Sequence, residues 1–190
     1  MTDYNSPEAM DAVWERFIAR GTFTEDWYRQ HPITEQLLAQ KGFSGTVLDA
    51  GCGLGVRTHL AAEAWGCTVV GVDHSPVAIA YARAHYPEGH YLCGDISALE
   101  CMDGQFDGLF ALAVLEHIAD LDALCEEWCR VCRPGAPLFF SVTESDTHGY
   151  AGHLHRWNAP SWRRFLSEHF VVERAYAREH VLYARVRSRK

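Results

Sequence analysis

The stretch Thr46-Val47-Leu48-Asp49-Ala50-Gly51-Cys52-Gly53-Leu54-Gly55 constrains this chain more than any other. An apolar run ends at Val47-Leu48 and reads as a buried strand. A carboxylate, Asp49, stands where that strand should end. Glycines at 51, 53 and 55 then release the backbone into a turn, and a helical pattern begins at about Val56. Glycine permits a tight strand-to-helix turn and lets a ligand approach the backbone. The expected product is a crevice at the carboxyl end of a strand, floored by backbone N–H groups. The dinucleotide fingerprint places glycines first, third and sixth, seating a pyrophosphate on a helix N-terminus. Here the sixth position is Val56, and Asp49 precedes the first glycine by two residues. A carboxylate is unfavourable beside a pyrophosphate and favourable beside an ammonium. The loop therefore suits a nucleoside that carries positive charge.

With Leu48-Asp49 before it, the loop resembles motif I of the class I S-adenosylmethionine (SAM)-dependent methyltransferases, whose ligand has a sulfonium and an ammonium. The alternative is an ordinary glycine-rich turn. A second strand, Cys67 to Val72, ends at Asp73, about 20 residues beyond the loop, where such folds place a carboxylate for ribose hydroxyls. Capping the next helix is the other role open to Asp73, but Ser75-Pro76 already supplies a cap and first position. A third short strand, Tyr91 to Cys93, runs into Gly94-Asp95-Ile96. The resemblance implies that Asp95 receives the adenine amino group and that Ile96 flanks the ring. The segment Phe106-Asp107 … Leu115-Glu116-His117 … Arg133-Pro134-Gly135-Ala136 is similar to the small-molecule methyltransferases of the ubiquinone-biosynthesis type. It departs from them at Ala136, where a second glycine is usual.

The resemblance runs from about Gly45 to Lys190 and is specific from Thr46 to Gly135. It implies an α/β fold: a Rossmann-like, seven-stranded, mostly parallel sheet flanked by helices, with the last strand antiparallel. Strands at Phe106 to Leu112, Pro137 to Val142, Phe170 to Arg178 and Val181 to Val186 fit, the last two close enough for an antiparallel hairpin. Residues 1–44 lie outside this pattern and are expected to form a helical cap on the SAM-binding unit, residues 45–190, within one compact domain. The cap carries a helix from Pro7 to Arg20, an aromatic link from Phe23 to Tyr28 and a helix from Thr34 to Gln40. Trp27 or Tyr28 is expected to face the ligand. Both rings packing the helices on the sheet is the other reading.

The 190 residues suit one domain with a proper core. No apolar run reaches the roughly 18 residues of a membrane span, and Met1-Thr2-Asp3-Tyr4 lacks the regions of a signal peptide. A cytoplasmic location is expected, with no membrane partner. The net charge of −8 argues against non-specific nucleic-acid binding, which depends on neutralising phosphates. The arginines near the C-terminus read as a solvated edge.

Cys125, Cys129 and Cys132 have the spacing of an iron–sulfur motif. They also form one stripe of the helical pattern between Asp120 and Arg133, and small buried thiols are ordinary core residues. The core reading is preferred. The chain has 11 histidines, with His148, His153 and His155 in one loop. A zinc site needs converging ligands that sequence alone does not bring together, so no metal is expected.

The expected function is methyl transfer from SAM to a small molecule at oxygen or nitrogen, leaving S-adenosylhomocysteine. Asp49, Gly51, Cys52, Gly53, Asp73, His74, Asp95, Ile96 and Leu112 are expected to hold the cofactor. Within that set Asp49 and the glycine loop take the methionine end. His117, after the fourth strand, is placed to act as a base on a hydroxyl acceptor, or to orient its loop by a hydrogen bond. Trp27, Tyr28, Tyr150 and His153 are expected on the acceptor side, and Glu144 also lies within reach of it. Thiol or metalloid transfer, protein methylation and a non-catalytic SAM-binding regulator remain alternatives. The motifs specify neither the acceptor nor the oligomeric state.

Overall fold

The computed structural model describes residues 5–144 and 152–189. Three helices come first: α1 (Pro7–Arg20), α2 (Glu25–Gln30) and α3 (Pro32–Leu38). The aromatic link expected around Trp27 is thus partly helical. The reason is local: the Thr24 side chain accepts a hydrogen bond from the Trp27 N–H and starts a short turn, with Glu25 and Asp26 favourably placed at its positive end. His31 then caps α3, its ring nitrogen accepting from the Ile33 N–H at 3.2 Å.

The sheet follows, with β1 (Thr46–Ala50), α4 (Val56–Trp65), β2 (Thr68–Asp73), α5 (Pro76–His85) and β3 (His90–Cys93) alternating strand and helix. β4 (Gly108–Leu112), a single turn at Leu115–His117, α6 (Leu121–Val131) and β5 (Pro137–Thr143) continue it. α7 (Ala159–His169), β6 (Val171–Arg178) and β7 (Val181–Arg187) close it. The strand order is β3-β2-β1-β4-β5-β7-β6. All pairings are parallel except those of β7, which runs antiparallel to both β5 and β6. The turn before β7 is made by Glu179 and His180, both at positive φ (52° and 62°), the conformation that matches hairpin twist. β6 is an exposed edge interrupted at Val172/Arg174 by an irregularity in register, a device that discourages pairing with another chain.

Strand order reverses direction between β1 and β4, so a crevice opens beyond their carboxyl ends. The scaffold around it is dry. Every residue of β4 is buried, as are six of the seven residues of β5. α6 lays Leu121, Leu124, Cys125, Trp128 and Cys129 on the sheet. Cys125, Cys129 and Cys132 are therefore core thiols, buried among Trp128, Leu138 and Phe140. On the other face Ile33 and Leu37 of α3, with Phe43, pack on Val47 and Phe110. A fully buried side chain of this kind contributes about 1.5–3 kcal/mol. α1, by contrast, contains no fully buried residue.

Candidate active site

A cavity of about 280 Å³ lies at the carboxyl ends of β1, β2 and β4. Gly51, Cys52 and Gly53 form one wall, Asp73, His74, Asp95 and Ile96 the next, and Leu112, Ala113, Val114 and His117 the third. Most of the residues selected from sequence for the cofactor meet here.

The loop does not present the row of open N–H groups expected of it. The N–H groups of Gly51 and Cys52 both donate to the Val72 carbonyl, at 2.8 and 3.0 Å, and that of Gly55 donates to the Cys52 carbonyl. The Gly53 N–H donates to Asp73 Oδ2 at 2.8 Å. The turn is stapled to β2, which costs it these donors. Its glycines serve close approach instead: at Gly53, φ is 52° and an added Cβ would stand 2.8 Å from the Trp14 ring. A loop with its amides occupied is a poor phosphate cradle, in keeping with the charge argument from Asp49.

Asp73 accepts a second hydrogen bond from the Ser75 N–H at 2.9 Å, so the carboxylate is held rigidly at the cavity wall. Burial raises its pKa against the lowering effect of those two N–H donors. Ser75 caps α5 through the Ala78 N–H and donates its own hydroxyl to Asp11 of α1. Asp95 is exposed, its Oδ1 accepting from the Ser97 N–H, while the buried Ile96 is fixed by its carbonyl bond from the Trp128 indole at 3.1 Å.

Asp49 is not on the cavity wall. It lies beneath the loop, 3% exposed, with Thr58 Oγ1 donating to its Oδ2 at 2.6 Å. Burial pushes its pKa up to about 7 despite that bond and the nearby Arg57. Cys52 lines the cavity as a protonated thiol, its pKa well above the usual range because burial and the carboxylates of Asp49 and Asp73 oppose ionisation.

The N-terminal segment reaches the cavity through Asn5, which precedes α1, Met10 and Trp14 of α1, and Tyr28 of α2. Of the two aromatics expected there, Tyr28 lines it and Trp27 does not. Trp27 is 38% exposed and packs on Phe23, Tyr28 and His31, because α2 turns its side chain away. Sequence reading missed Trp14, Asn5 and Met10, which enter only when α1 folds back on α5. It also missed Arg57, one residue into α4. Arg57 donates to Thr34 Oγ1 at 3.0 Å and lies over the Tyr28 ring at 4.7 Å, the one arginine or lysine among the described wall residues. Its position directly after the glycine loop was the available signal. Ala113 was missed too: at φ 56° it is a strained non-glycine residue at the end of β4, held by its N–H bond to the Ser141 carbonyl.

His117 faces the cavity, with Nδ1 at 3.2 Å from Asn5 Oδ1 and 3.1 Å from the Gly152 carbonyl. Both partners accept, so Nδ1 carries the proton. Burial, followed by neighbouring His153, lowers the His117 pKa to about 4. The ring is a neutral, weak base. His153 is not a wall residue; its ring meets that of His117 edge-on at 4.9 Å. Glu116, unnoticed as a site residue in the sequence, is buried beside them, and burial pushes its pKa up to about 7. Tyr150 and His148 lie outside the described residues.

A family model described as a methyltransferase domain matches residues 48–140. A protein of Mycolicibacterium smegmatis, named a probable S-adenosylmethionine-dependent methyltransferase, is 32% identical over 136 residues, covering 72% of this chain and 52% of the relative. A ubiquinone biosynthesis O-methyltransferase of Methylobacterium is 35% identical over 106 residues, covering 54% and 42%. The chain thus spans about half the length of the curated relatives it matches. A solved complex between the Haloferax volcanii Trm112 methyltransferase activator and a candidate methyltransferase contains a chain of the same fold, with TM-score 0.77, 18% identity and full coverage of both chains. Among the described residues no helix is long and apolar enough to cross a membrane.

Proposed function

Because the chain belongs to the class I SAM-dependent methyltransferases, we propose that it transfers the methyl group of SAM to oxygen or nitrogen of a small molecule. One observation carries the reading: the glycine loop, Asp73, Asp95 and Ile96 converge on a single cavity. In this reading Asp73 receives the ribose hydroxyls. Asp95 takes the adenine amino group, with Ile96 against the ring. Gly51, Cys52, Gly53, His74 and Leu112 enclose the remainder. Arg57 receives the ligand carboxylate, a role its charge and position in the wall support. Trp14 adds an indole N–H that is buried and has no hydrogen-bond partner among the described residues. Asp49, its pKa raised to about 7 by burial, acts from beneath the loop, where a ligand ammonium would favour its ionised form.

Methyl transfer is an in-line displacement from a sulfonium that already leaves well, so the protein's main task is alignment. The acceptor enters between Tyr28, Val114 and His117. His117 orients the acceptor more than it takes a proton, since its pKa lies far below neutrality. Residues 1–44 act as a cap that closes the crevice of residues 45–190. A cytoplasmic location without a membrane partner belongs to the same proposal, and the net charge of −8 supports a protein that does not bind nucleic acid non-specifically.

The test is transfer from methyl-labelled SAM to a panel of small phenols, carboxylic acids and amines, with S-adenosylhomocysteine counted as co-product. Label on a small acceptor in equal amount to co-product supports the proposal. Tight S-adenosylhomocysteine binding with no transfer to any of them would replace it with a SAM-binding regulator.

A further inference from the structure

Glu116, His117 and His153 converge on the acceptor side of the crevice. One ligand atom of each lies within 4.8 Å of the others. Two come from the turn after β4, and the third is carried in from beyond β5. Their backbone is tied together: the Leu154 and His155 N–H groups donate to the Glu116 carbonyl at 2.7 and 3.2 Å.

The side chains are already oriented. Glu116 is 1% exposed. Its Oε1 accepts from the Thr143 N–H and hydroxyl at 3.1 and 3.2 Å, whereas its Oε2 has no hydrogen-bond partner among the described residues. A buried carboxylate oxygen left without a hydrogen bond is destabilising, so this atom is suited to a ligand that would satisfy it. His117 donates from Nδ1 to two oxygens, which makes Nε2 the lone-pair nitrogen. That is the arrangement of a metal-bound histidine: one ring nitrogen held by a carbonyl, the other turned to the ion. His153 brings the second imidazole against the first. The other candidate ligands nearby are engaged elsewhere. His155 Nε2 donates to the Ile118 carbonyl at 2.8 Å, and Cys125, Cys129 and Cys132 are in the core.

We propose that Glu116, His117 and His153 form a binding site for a divalent transition-metal ion at the acceptor end of the crevice. Two imidazole nitrogens and one carboxylate oxygen suit zinc, cobalt or manganese better than magnesium or calcium. Three protein ligands leave at least one position open. Ligand atoms around a tetrahedral ion, at bond lengths of about 2.0–2.2 Å, stand about 3.4 Å apart, so the three side chains close in by roughly an ångström on binding. Because His117 also lines the crevice, the open position faces the acceptor. A metal there favours an oxygen acceptor, whose hydroxyl proton it makes more acidic. That last step rests on the methyl-transfer reading; the metal site itself does not.

Cobalt(II), then zinc, would be titrated into metal-free protein, following the visible absorption of bound cobalt. The expected result is stoichiometric cobalt binding, displaced by zinc, with affinity reduced at least tenfold in Glu116→Gln and in His153→Ala and unchanged in His155→Ala. S-adenosylhomocysteine titration of the same proteins checks folding and separates the two claims. Cofactor binding without stoichiometric cobalt binding in the wild type would overturn the metal site alone. Equal cobalt affinity in wild type and His153→Ala would overturn it as well. Cobalt binding without cofactor binding would leave the metal site standing and overturn the methyl-transfer reading.

Discussion

The two rims of the crevice are built differently. On the rim proposed to hold the cofactor the bonds are short in sequence: Thr58 to Asp49 spans nine residues, Ser75 to Asp73 two, and Gly53 to Asp73 twenty. On the acceptor rim they are long: Asn5 to Gly152 spans 147 residues and Asn5 to His117 spans 112. One rim forms as each strand-helix unit forms. The other forms only when the N-terminal segment and the segment after β5 have docked, and it is held by a few side-chain bonds beside a helix with no fully buried residue. A rigid cofactor seat with a separately assembled acceptor wall lets one fold serve different acceptors.

The largest expected effect that separates the rims is on stability. In Gly55→Ala the added Cβ would stand 2.6 Å from Ala82 Cβ at φ 74°, so unfolding free energy should fall by roughly 3–5 kcal/mol in urea. Gly21, at the end of α1, has a similar φ of 58° with nothing within 4 Å, and Gly21→Ala should cost only about 1 kcal/mol. Equal losses would mean that the loop is no more tightly built than the cap.

Next in size is a pH effect. The Asp49 pKa is raised from 3.8 to about 7 in the folded protein, so the folded state holds a proton that the unfolded chain has lost. Its contribution is therefore largest near pH 4 and declines as pH rises toward 7. Relative to Asp49→Asn, the wild type should lose stability on the order of 2–3 kcal/mol between those limits, measured by urea midpoints without ligand. Parallel pH profiles for the two proteins would show that Asp49 is ionised throughout.

Smaller again, Arg57→Ala should weaken S-adenosylhomocysteine binding about tenfold or more, roughly 1.4 kcal/mol or above, with Arg57→Lys recovering part of it. The smallest effect belongs to the acceptor rim. Asn5→Ala should lower stability by about 0.5–1.5 kcal/mol and leave S-adenosylhomocysteine affinity within about threefold. A loss of affinity as large as that of Arg57→Ala would erase the distinction between the rims.

The same difference explains what could be read from the sequence. Strand ends marked by Asp73 and Asp95, the Ser75-Pro76 cap and the α6 stripe are local signals, and the structure places each close to where spacing predicts. The occupied loop amides were not legible, because their partner, Val72, lies on the neighbouring strand. Nor was the choice between Trp27 and Tyr28, which depends on a two-turn helix whose start rests on one threonine hydroxyl. Trp14 and Asn5 reach the site only through the packing of α1 on α5, and the grouping of Glu116 with His153 only through the return of the chain after β5. Pattern within a segment is visible in sequence; contact between segments remote in sequence is not.

Calorimetric titration with S-adenosylhomocysteine, on wild type and on Asp73→Ala with its fold verified by circular dichroism, tests the central claim most directly. The account predicts micromolar binding to the wild type, weakened at least tenfold in the variant, about 1.4 kcal/mol. No binding to the wild type, or equal binding to both proteins, would contradict it.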